Sequence, residues 1–82
     1  MEEYNKYTLR NITYETEVPV GEEGKTAIIR AYNHSEGSIL KEKKVELKNS
    51  AKMDCFGKIC LTETDSNKLE ESLLDLIEEI NK

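Results

Sequence analysis

Over the first twenty residues apolar and polar positions alternate, with Tyr7 and Leu9 on odd numbers and Ile12, Tyr14, Thr16, Val18 and Val20 on even ones. A period of two is the signature of a strand with one buried face. The change of parity needs an extra residue or an interruption, which places a β-bulge or break near Arg10-Asn11. Pro19 marks the end of this run, and Gly21-Glu22-Glu23-Gly24 predicts a loop. From Thr26 to His34 the residues Ile28, Ile29 and Tyr32 favour a strand, although Ala27, Ile28, Ala31 and Tyr32 also fit one helical face. Asn33 to Ser38, containing Gly37, reads as a turn. Ile39 to Lys48 reads as a strand, with Val45 and Leu47 facing one way and Lys44, Glu46 and Lys48 the other. Asn49-Ser50 supplies a further turn before an extended segment from Met53 to Thr62.

The period then changes. Leu69, Leu73, Leu76, Ile77 and Ile80 fall at i, i+4, i+7, i+8 and i+11, one face of an α-helix. Glu70, Glu71, Asp75, Glu78 and Glu79 stand between them and make the other face a strip of carboxylates. Asn67 is the expected N-cap, with Glu70 at N3 in the manner of a capping box. The expected helix runs from about Asn67 to Ile80. Strands followed by one helix predict an α+β fold, a small antiparallel sheet of four or five strands with a C-terminal amphipathic helix packed across it. With 82 residues the chain has room for a single domain, residues 1–82, and one modest core.

Composition narrows the function. Apolar residues are 37% and charged residues 35% of the chain, a thin core under a heavily solvated surface. The net charge of −5 opposes direct binding of nucleic acid or an anionic membrane, since phosphates must be met by Lys and Arg. Charge is also segregated. Residues 1–24 carry six acidic and two basic side chains, residues 63–82 seven and two, and residues 41–58 six lysines against three acids. The simplest arrangement sets the lysine-rich middle beside the acidic helix. The sharper alternative is a dipolar surface that steers a basic partner. No apolar run is long enough for a transmembrane helix, and the acidic start is unlike a signal peptide, so the chain reads as cytoplasmic. Asn11-Ile12-Thr13 and Asn33-His34-Ser35 are then chance sequons, and Cys55 and Cys60 reduced thiols.

Candidate chemistry is sparse. A type II′ turn at Gly57-Lys58 would set Cys55 opposite Cys60, close to disulfide range. The simpler arrangement is two thiols packed as small apolar groups in one strand. Cys55, Cys60 and His34 supply three soft ligands where structural zinc takes four, so no metal or other cofactor is expected. Pro19 to Thr26 has Walker A spacing, but Pro19 stands where a glycine N–H should face phosphate, and Glu22 and Glu23 would place negative charge in the cradle. His34 beside Ser35 lacks a third, orienting group. No enzyme is expected. Tyr4, Tyr7 and Tyr14 crowd the first strands as core rings or, where exposed, interface anchors.

The resulting expectation is a small acidic protein that blocks or adapts a protein partner with a basic surface, nucleic-acid-processing proteins being one such class, of the phage or mobile-element inhibitor, antitoxin or immunity type. Glu71, Asp75, Glu78, Glu79, Tyr4 and Tyr7 are its candidate contacts. The alternative is a small-ligand protein that holds a nucleotide-like anion with Arg10 and Arg30 between protomers of a homo-oligomer.

Overall fold

The two alternating runs fold back on each other at Arg10-Asn11. In the computed structural model, which describes residues 1–21 and 24–81, β1 (Glu2–Leu9) and β2 (Ile12–Val18) are antiparallel, with Leu9 paired to Ile12. Arg10 and Asn11 have φ of 52° and 64°, the left-handed sign at both central positions that the tightest hairpins require. The parity break is therefore a turn between two strands. The bulge lies earlier, at Tyr4, where the register slips between Glu3 and Asn5.

Strands β3 (Thr26–Asn33) and β4 (Ile39–Glu46) complete an antiparallel sheet in the order β1-β2-β3-β4. In β3 the buried residues Ala27, Ile29 and Ala31 alternate with half-buried Thr26, Ile28 and Arg30, so the helical alternative for this segment does not apply. Two short strands, β5 (Lys52–Met53) and β6 (Ile59–Cys60), form a separate ribbon. Its register pairs Lys52 with Cys60 and Met53 with Ile59. The loop is five residues rather than two, so Cys60 does not face Cys55. Both thiols are free and exposed, in place of the apolar packing within one strand that was expected.

Helix α1 (Glu63–Ile80) packs across the sheet against β3 and β4, the expected α+β architecture. It starts before Asn67. Thr62 is the N-cap, its hydroxyl accepting from the Asp65 N–H at 3.3 Å. Tyr14, Val18, Ala27, Ile29, Val45 and Leu47 from the sheet side meet Leu69 and Leu76 from the helix in one core. Among the described residues, no helix is long and apolar enough to cross a membrane.

Candidate functional site

The way α1 is fastened decides which of its groups remain available. Asp65 is fully buried and accepts from the N–H groups of Lys48 at 2.7 Å and Asn49 at 2.9 Å, one to each carboxylate oxygen. Burial, the largest single effect, would push this carboxyl up, but the backbone bonds from Lys48 and Asn49, the Thr62 hydroxyl and the Lys68 charge together hold the acid below its usual range. Lys68 donates to the Glu46 carbonyl at 2.5 Å. Nearer the helix C-terminus Glu79 meets Lys41 at 2.9 Å and Lys43 at 3.9 Å. Lys41 and Lys43 pair with Ala31 and Ile29 of β3 and point to the helix side. At Glu79 the lysine-rich middle does lie beside the acidic helix.

The remaining expected carboxylates are placed differently. Glu71, Asp75 and Glu78 project from the outer face of α1, away from the core. Among the described residues no cation lies within ion-pair distance of any of the three. Residues 71, 75 and 78 are spaced by roughly 6 and 4.5 Å along the axis, so their charges form one column. Leu74, 57% exposed, stands on the same outer surface. The helical period alone did not reveal it, because Leu74 lies outside the i, i+4, i+7 set.

Tyr4 and Tyr7 are half-buried on β1. The Tyr7 ring lies 5.4 Å from that of the buried Tyr14, tilted by 30°, and burial pushes its hydroxyl up, with Tyr14 adding to the effect. The Tyr14 hydroxyl accepts from Asn81 at 3.4 Å. Tyr4, at the bulge, lines a groove of about 260 Å³ between β1 and α1, with Leu69, Glu70, Leu73 and Leu74 on the helix side.

The two arginines sit apart. Arg10 occupies the exposed β1–β2 turn. Arg30 lies on the sheet face away from α1, where it is paired in register with Glu15 and Glu42. Its guanidinium bonds Glu17 and, at 3.1 Å, Glu42, and the Glu17 bond leads the effects that raise its pKa. The same carboxylate-rich face, after the effect of partial burial, pushes the Glu15 carboxyl up.

His34 Nδ1 bonds the buried Thr13 hydroxyl at 2.9 Å, and Thr13 bonds Thr8 at 2.9 Å. Among the described residues nothing bonds Nε2, so no carboxylate orients this imidazole as a nucleophile-activating base would need. Ser35 turns instead to Asn11. No three His, Cys, Asp or Glu side chains gather as a metal site among the described residues. Of the Walker-like stretch, Glu22 and Glu23 lie outside the described residues. Compared with protein-family models, curated proteins and solved structures, the chain matches none.

Proposed function

We propose that this protein is a binding module that blocks or adapts a protein partner with a basic surface, through the outer face of α1. The observation that carries the reading is the outward column Glu71, Asp75 and Glu78, with no cation in ion-pair range among the described residues. The placement opposes the helix itself. The last turn holds Glu78 and Glu79 and no basic residue, although the negative end of a helix dipole favours cations. Like charges at i, i+4 add a few tenths of a kcal/mol of repulsion in the isolated helix. A basic partner offsets both terms, and for a nucleic-acid-processing partner the column imitates a row of phosphates. The anion-holding alternative has less support, because the Arg30 guanidinium is already engaged by two carboxylates.

The test uses Glu71→Gln, Asp75→Asn and Glu78→Gln together, with Glu79 retained because it ties α1 to β4. A partner is captured from native lysate by cross-linking to the wild-type chain, and its association rate is measured against salt. The triple variant should associate at least about tenfold more slowly at low salt, with a flattened salt dependence. Equal rates for the two proteins would reject the outer helix face as the contact surface.

A further inference from the structure

The loop of the β5–β6 ribbon holds an aromatic ring in water. Phe56 is 91% exposed, and the backbone beneath it is ordered by its own hydrogen bonds. Asp54 Oδ1 accepts from the N–H groups of Phe56 at 2.9 Å and Lys58 at 2.8 Å. The Asp54 N–H donates to the Lys58 carbonyl at 2.9 Å, and the Gly57 N–H to the Asp54 carbonyl at 3.1 Å. Gly57, at φ 79°, permits the tight return. A large ring on a pre-organised loop loses little entropy on docking and gains most of its apolar burial, as interface anchors do. Lys58 closes the loop and Lys52 stands on the β5 strand of the ribbon, both exposed.

The matching feature is on the same side of the molecule. The groove between β1 and α1 measures about 260 Å³ and is walled half by Tyr4, Leu69, Leu73 and Leu74 and half by polar residues, Glu70 among them. An apolar cavity of roughly 150 Å³ already accommodates a benzene ring. A shallow recess lined by Glu2, Tyr4, Met53, Lys58 and Ile59 adjoins it, so Tyr4 borders both the loop and the groove. From residue 52 to 60 the ribbon carries Lys52 and Lys58 against one acid, Asp54, whereas the groove carries Glu70 and the adjoining recess Glu2 and Glu3. Complementary features that lie side by side close on themselves through a two-fold axis between them.

We propose that a second copy of this chain docks here, with Phe56 of each protomer seated in the β1–α1 groove of the other and Lys58 meeting Glu70. Two rings bury on the order of 150–250 Å² each, so even with their surroundings the contact falls short of a standard interface. The dimer is accordingly weak, with Kd on the order of 10–100 μM.

Sedimentation equilibrium of the full chain up to about 1 mM, well above that Kd, tests the proposal. The wild type should populate a dimer. Phe56→Ala and Leu74→Lys should each weaken it at least about tenfold. Thermal midpoints should stay unchanged or, for Leu74→Lys, rise slightly, because both side chains are exposed and the introduced ammonium would sit four residues from both Glu70 and Glu78. Mixing the two variants should give a mixed dimer tighter than either variant with itself, since one intact ring and one intact groove meet in it. A wild-type chain still monomeric at about 1 mM would overturn the proposal and leave Phe56 to a different partner. Dimers indifferent to both substitutions, or no mixed dimer, would overturn it as well.

Discussion

Along its β4 flank α1 is tied down by polar bonds, whereas along its β1 flank it is left open. On the first side Asp65 takes two backbone N–H groups, Lys68 reaches the Glu46 carbonyl and Glu79 meets Lys41 and Lys43. On the second there is a groove with half-buried Tyr4 and Leu73 and an exposed Leu74. The difference separates two tasks that compete within these 82 residues. Directional bonds fix where the helix sits, which releases the opposite flank from closing tightly and leaves apolar surface for association.

Truncation under the middle of the helix should show the largest effect. Leu76 is fully buried, and Leu76→Ala should destabilise by about 2–5 kcal/mol in chemical denaturation. A loss below about 1 kcal/mol would mean that α1 is not docked.

Asp65→Ala should follow, at about 2–4 kcal/mol, because it strands the N–H groups of Lys48 and Asn49. The same residue gives the tied flank a pH signature. Its folded pKa lies below the ordinary aspartate value near 3.9, so its contribution is fully present above that value and is lost as pH falls through the folded pKa. Stability of the wild type should fall more steeply below about pH 4 than that of Asp65→Asn. Parallel curves would show that the carboxylate is not the tie.

On the open flank Leu73→Ala should cost about 1–2 kcal/mol, less than at Leu76, because Leu73 is only half-buried and its site can relax into the groove. Equal losses at the two leucines would erase the contrast between the flanks. Smallest of all, Glu79→Gln should change stability by less than about 1 kcal/mol, since its ion pairs are largely solvated. Salt titration of the thermal midpoint should show the small difference disappearing.

Strands β2 and β3 and the helix were legible in sequence because each buries one face and so repeats with its own period. The start of α1 was not. Residues 63–67 have no apolar repeat, and Asp65 takes its place from Lys48 and Asn49, which are distant in sequence. Arg10-Asn11 lacked the glycine that marks most tight hairpins, so it read as an irregularity rather than as the boundary between β1 and β2. The five-residue loop from Asp54 to Lys58 depends on an aspartate bonding two backbone groups, and a pattern of apolar positions does not register that. The outer carboxylates were visible as a face of the helix. The groove was not, because it exists only once α1 has settled nearer β4 than β1.

The order β1-β2-β3-β4 has a kinetic side. Each strand pairs with its neighbour in sequence, so every step of sheet assembly closes a short loop, and such topologies fold quickly for their content of strand. The helix follows in the chain, and until it docks, Tyr14, Ile29 and Val45 lie bare on one surface. A nascent chain halted just before Glu63 would therefore present a nearly finished sheet with an uncovered greasy side, a substrate for chaperones or for its own aggregation.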